Sequence, residues 1–315
     1  MAVHFGNGYL RGRCIGAMNT DVLPVMPGCD GVSIQSAPCP IPFYGNALLL
    51  GVWEEYNRLT LEPPYVSIWR DHWHSDCFMS DPSVGLPTLS AYPVQTPYHH
   101  NSIQRPGFLS YDRVANIAAI CAAHAAMVAA PDPEMLSRFL PLAAANSMRK
   151  LAQTAHERPK RKGADARAKL QHQLDIQLGD LRSFEMAGVD KADIEWACEQ
   201  VLRFAQKLTP VPSAEKDEPT PVYDALKQYV PRNITQGIPH DLARFPFRER
   251  KQPMNASIIR RVFGSMNGKR DLRDLITEAE FEENVAWSES ELAAFEKLFL
   301  LLEQYGYIAV ERKAE

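Results

Sequence analysis

None of the six cysteines (Cys14, Cys29, Cys39, Cys77, Cys121, Cys198) belongs to a C-x-x-C pair. That argues against a zinc ribbon and against a thioredoxin-type redox site. A chain of this length does not need disulfide staples, and thiols this scattered fit a reducing, cytoplasmic setting. Charge of one sign is not in excess either: the formal net charge is -4, which gives no general affinity for nucleic acid or an anionic membrane. The first residues, "MAVHFGNGYL", lack the basic segment followed by an apolar one that marks a signal peptide. Long hydrophobic runs are missing too. The longest, "VANIAAICAAHAAMVAA" (114–130), is Ala-rich and carries His124. It falls short of the roughly 20 apolar residues of a membrane span and reads as a buried helix. There is no internal repeat.

What is present is an ordinary globular composition, 45% hydrophobic and 23% charged over 315 residues, enough for one large domain or two to three smaller ones. Residues 1–130 read as α/β. "CIGAMNTDVLP" (14–24) is a short strand that ends at Asp21 and a proline. "YGNALLLGVWEEYNRL" (44–59) is an amphipathic helix, with Leu48, Val52, Tyr56 and Leu59 at helical spacing. "YVSIWRD" (65–71) and "LPTLSAYP" (86–93) are strands, and 109–129 is a long helix. Alternation of this kind implies a mostly parallel sheet flanked by helices, with functional groups at the carboxyl ends of its strands.

Residues 131–208 read as a helical insertion. The basic run "RPKRKGADARAKL" (158–170) is expected to be a solvated loop or helix face. Residues 209–253 form a linker rich in proline and charge, with "PHDLARFPFRERKQP" (239–253) extended. Residues 254–315 hold three helices and a terminal strand after Gly306, with Asn255 and Ser288 or Ser290 as caps. That order predicts a winged helix. From Met254 onward there are 12 acidic and 8 basic residues, and the third helix carries Glu289, Glu291, Glu296 and Glu303. A helix that reads phosphate-lined grooves should be basic, so a DNA-binding regulator is the disfavoured class.

Four stretches carry chemistry: "MNTDVLP" with Asp21, "WHSDCF" with Ser75 and Asp76, "DPSVGLPTLSAYP" (81–93), and "YHHNS" with His99 and His100. On these residues the chain resembles the second half of the M28-type zinc aminopeptidases. In that family a strand ends in an N-x-D metal ligand. A Ser-Asp with an aromatic two residues on comes next, then a G-x-P strand, then a loop whose histidine binds zinc, and a long helix closes the domain. "SVGLPTL" matches the strand, "HNS" from His100 matches the loop, and 109–129 matches the helix. The tail resembles the winged helix appended to a subgroup of cytosolic aminopeptidase-like members. The resemblance implies two zinc ions, which lower the pKa of a shared water. It places Asp21 on one ion and His100 on the other, with His99 and Asp76 behind them or facing the substrate.

The family's remaining ligands and its glutamate base stand upstream of the strand that bears Asp21, where this chain has 20 residues. Aligned on Gly6, the family's two glutamates fall on Val3 and His4, and Val3 cannot accept a proton. Glu54 and Glu55 follow Asp21 in a helix, where neighbouring side chains diverge by about 100°, and read as solvated. Gln104 stands where the family has aspartate. The expectation is therefore a zinc-dependent hydrolase of an amino-terminal peptide bond or related amide, incomplete in this chain. The alternative is a catalytically inactive, aminopeptidase-like binding or scaffold protein. Its expected partners are a peptide or amino-acid-derived amide and a second copy of the chain, with neither nucleic acid nor membrane.

Overall fold

The computed structural model describes residues 14–20, 31–37, 39–59, 65–70, 85–93, 110–162, 164–213, 220–235, 244–246, 248 and 257–313. The chain divides into two compact units. One comprises Met1–Ser80, Gly85–Met148 and Ile176–Phe204; the other comprises Asp81–Val84, Arg149–Asp175 and Ala205–Glu315.

The first unit is built on four strands, β1 (Ala17–Thr20), β2 (Gly31–Ser36), β3 (Tyr65–Arg70) and β4 (Thr88–Pro93), in the order β1-β4-β2-β3. Helix α1 (Gly45–Leu59) joins β2 to β3, which pair in parallel. This is the crossover that a parallel pair requires. β1 and β4 are also parallel, but β4 meets β2 antiparallel. The sheet is thus two parallel pairs running in opposite directions, a small sheet in a mostly helical chain, and nothing in it contradicts the α/β class.

Helices α2 (Tyr111–Ala129), α3 (Pro133–Ser137), α4 (Leu140–His156), α5 (Ala166–Arg182) and α6 (Lys191–Ala205) follow, with a 3-10 turn at Ser183–Ala187; α4 from Arg149 onward and α5 up to Asp175 belong to the second unit. Asp132 caps α3 by accepting from the backbone N–H groups of Glu134 and Met135, and Pro133 takes the first helical position.

The core of this unit gathers around α1. Phe43, Tyr44, Leu48, Leu49 and Trp53 are all at most 2% exposed. Burial of side chains this size contributes about 1.5–3 kcal/mol each. The Tyr44 hydroxyl donates to the Val128 carbonyl at 3.3 Å, and its ring lies 5.7 Å from that of Phe184. Gly51 lets α1 approach closely, since a Cβ there would stand 2.7 Å from the Phe139 ring. The run 114–130 is not buried all round. Ile117, Ile120, His124 and Val128 form the one buried stripe, and Ala118, Ala119, Ala122, Ala123, Ala125 and Ala126 face solvent. Among the described residues no single helix is long and apolar enough to cross a membrane.

The second unit contains α7 (Pro221–Ala225), β5 (Tyr229–Asn233), α8 (Ser257–Gly264), α9 (Leu272–Glu283), α10 (Glu289–Gln304) and β6 (Ile308–Arg312). Ser288 caps α10 in a reciprocal capping box with Glu291. Gly306, at φ 71°, makes the turn into β6. The antiparallel partner of β6 is β5, which precedes the three helices, and Arg232 of β5 also bridges to Asn267 between α8 and α9. β5 therefore fills the central place. Asn255 lies outside the described residues. From the connector 239–253, Phe245 is 1% exposed and packs on the rings of Tyr305 and Tyr307, 4.9 and 5.8 Å away.

The basic run 158–170 is not simply solvated. Arg161 donates to both carboxylate oxygens of Glu280, at 2.7 and 2.5 Å, and to the Trp287 carbonyl at 3.1 Å. Its guanidinium also lies 4.1 Å from the Tyr223 ring centre. Lys169, 3% exposed, donates to Glu157 at 3.2 Å and to the side chain of Asn284 at 3.1 Å. Buried charges are tolerated when paired and hydrogen-bonded in this way.

Candidate functional site

β1 and β4 run side by side in one direction, with Ala17 opposite Thr88 and Thr20 opposite Ala91. The Ala17 N–H donates to the Pro87 carbonyl at 2.9 Å and fixes the start of the register. Both strands therefore end at the same end of the sheet, β4 two residues further on. β4 is an interior strand, and Thr88, Leu89, Ser90 and Ala91 are all buried.

Asp21 is the residue after Thr20, and His99 and His100 follow Pro93 in the next connection. Asp21, Asp76, His99 and His100 themselves lie outside the described residues, as do Val3, His4 and Gln104. β2 begins beside the end of β4, with Val32 opposite Pro93. β3, parallel to β2, ends with Arg70 at the other end of the sheet, and Asp76 belongs to the connection that follows it. The described strands thus bring the starting points of the Asp21 and His99–His100 segments together, and start the Asp76 segment from the opposite end.

Other titratable groups of this unit have defined surroundings. Glu54 and Glu55 are exposed on α1, and Glu55 forms a surface pair with Arg58 at 2.5 Å. The Arg58 hydrogen bond holds the Glu55 carboxyl below its ordinary range. Both carboxylates are solvated.

His124 is buried in the core. Its Nε2 lies 3.0 Å from the Gly45 carbonyl, so the proton sits on Nε2, and among the described residues its Nδ1 has no hydrogen-bond partner. Burial pushes its pKa down to about 4 despite the Gly45 bond. It is a neutral structural imidazole.

Burial also raises the Cys121 and Cys198 thiols, which keeps them protonated rather than nucleophilic. Among the described residues no group of three or more His, Cys, Asp or Glu side chains is placed to hold a metal ion.

Sequence reasoning missed the charged cluster of the second unit. It joins Arg161 to Glu280 and His172 to Glu278 and Glu282, with Lys169 paired to Glu157 beside them. The available signal was the acidic run "EAEFEE" on α9, whose alternate glutamates needed cations from elsewhere. No protein-family model, no curated protein and no solved structure matches the chain.

Proposed function

We propose that the chain carries part of a zinc-dependent, aminopeptidase-like hydrolase site that acts in the cytoplasm on an amino-terminal peptide bond or related amide. In this reading Asp21 and His100 are the metal ligands. His99 lines the pocket beside His100, Asp76 supports the ligands, and the last three helices are a winged-helix appendage that docks on protein rather than DNA. The observation that supports the reading is the parallel pairing of β1 with β4, which ends side by side the two strands that precede Asp21 and the His99–His100 segment in the sequence. A carboxylate and an imidazole are donors that zinc accepts, and when bound, the metal would supply a water of lowered pKa. Asp21 and His100 would give one donor to each ion and leave both coordination spheres open, so firm binding requires further donors from this chain.

The test is zinc content by elemental analysis after dialysis against micromolar zinc, with His100→Ala and Asp21→Asn in parallel. The expected result is zinc retained by the wild-type chain and lost from both variants. A wild-type chain that retains none overturns the hydrolase reading for this chain. That outcome would favour the non-catalytic binding protein, to which Val3 in place of the glutamate base also points.

A further inference from the structure

We propose that the contact between α5 and α9 in the second unit is a proton-operated clamp. The protonated His172 ring bridges Glu278 and Glu282, and the contact loosens when the ring loses its proton. Glu278 and Glu282 are four residues apart on α9 and so share one face, one turn apart. The His172 ring, from α5, reaches both. Its Nε2 lies 2.9 Å from Glu282 Oε1 and its Nδ1 lies 3.9 Å from Glu278 Oε1. All three side chains are largely withdrawn from water, at 18%, 13% and 25% exposure for His172, Glu282 and Glu278. A neutral imidazole carries one N–H and the cation two. Only the cation can donate to Glu282 and at the same time turn a second N–H and its positive charge towards Glu278.

The surrounding charges make the proton necessary. Arg261 of α8 pairs with Glu282 and, at 2.6 Å, with Glu283. Arg270, from the turn before α9, pairs with Glu278. Lys169, one turn before His172 on α5, is directed to Glu157 and Asn284 instead, and Arg161 is committed to Glu280. Three carboxylates (Glu278, Glu282 and Glu283) thus face two guanidiniums, and protonated His172 is the third positive charge. Without it the half-buried cluster holds an excess negative charge in a medium of low dielectric.

The titration of the two partners agrees with this. Burial opposes protonation of His172, but the hydrogen bond and charge of Glu282, with Glu278, outweigh both burial and Arg270 and raise its pKa. Burial likewise opposes ionisation of Glu282, but His172 and Arg261 hold its pKa down to about 2. Glu282 therefore stays charged, and His172 is the group that switches. Because the folded pKa of His172 lies above its unfolded value of about 6.5, the clamp contributes fully below that value and is lost as pH rises through the folded one.

The test is amide hydrogen exchange on the full chain at pH 6 and pH 8.5, corrected for the intrinsic pH dependence of exchange, beside NMR of the His172 ring. Residues 166–175 and 272–283 should lose protection severalfold at pH 8.5, and the ring should titrate above the ordinary histidine range. In His172→Gln the difference between the two pH values should vanish, and in Glu278→Gln the ring should titrate lower than in the wild type. Equal protection at both pH values in the wild type, a difference that survives in His172→Gln, or a ring that titrates at or below the ordinary value would each overturn the clamp. The wild-type ring titration does not depend on either variant folding.

Discussion

Each of the two units holds a histidine largely withdrawn from water, and the two are handled in opposite ways. In the first unit His124 sits among Ile117, Ile120, Val128 and the α1 core, with one carbonyl as its partner. In the second unit His172 sits between two carboxylates with arginines behind them. Both are largely out of water, yet burial prevails at the first and the neighbouring charges prevail at the second. The packing around His124 is apolar and rejects charge; around His172 charges neutralise one another, beside an apolar core that the second unit also has, with Val262, Phe263, Leu298 and Phe299 at most 1% exposed. The units should therefore fail under different insults: acid for the first, and loss of one charge or a rise in pH for the second.

The largest expected effect tests the second half of that contrast. Glu280→Gln leaves Arg161 half-buried without its carboxylate, and removing one partner of a buried pair costs about 3–5 kcal/mol. Urea unfolding followed by hydrogen exchange should show the loss in residues 205–313, with residues 110–148 nearly unchanged. A cost below about 1 kcal/mol, within the range of exposed pairs, would show that the charged cluster adds little to stability.

The next effect tests the first unit. His124 takes up a proton below about pH 6.5 when unfolded, but only near pH 4 when folded. At about 1.4 kcal/mol per pKa unit, acidification from pH 7 to below pH 4 should remove about 3 kcal/mol from this unit. The slope should be flat in His124→Leu. Exchange of the α2 amides against pH measures it, and equal slopes in wild type and variant would remove the contrast between the two histidines.

The smallest effect sharpens the packing side. In Gly51→Ala the new methyl meets the Phe139 ring at 2.7 Å unless one of them moves. Overpacking costs about 1–3 kcal/mol, set against a gain of about 1 kcal/mol in helix propensity. A net loss of about 1 kcal/mol is expected in thermal unfolding. A gain in stability would mean that this side of α1 yields more readily than a close-packed core.

Local pattern carried much of the fold. The helices at 45–59 and 111–129 and the strands at 65–70 and 88–93 lie where apolar spacing predicts them. The strand Gly31–Ser36 was not legible, because "GVSIQS" holds only two strongly apolar residues and takes its structure from pairing on both sides. Strand direction was not legible either: alternation implies parallel pairs but does not say which pairs share a direction. The role of Arg161 depends on Glu280, 119 residues away, and no local spacing reports a partner that distant. As for the candidate site, the strands leading to Asp21 and to the His99–His100 segment were legible as strands. Their adjacency is a matter of sheet order, which periodicity does not encode.

The position of β5 bears on how this chain divides as heritable material. The three helices Ser257–Gly264, Leu272–Glu283 and Glu289–Gln304 look like a cassette that ends in its own strand. Yet the strand at the middle of their small sheet is encoded before them, at Tyr229–Asn233. A recombination breakpoint anywhere between Asn233 and Ser257 would part β6 and Asn267 from the backbone they pair with. The segment able to move to another gene as a working whole starts no later than Arg161, whose partner Glu280 lies on α9, and it takes the intervening connector with it.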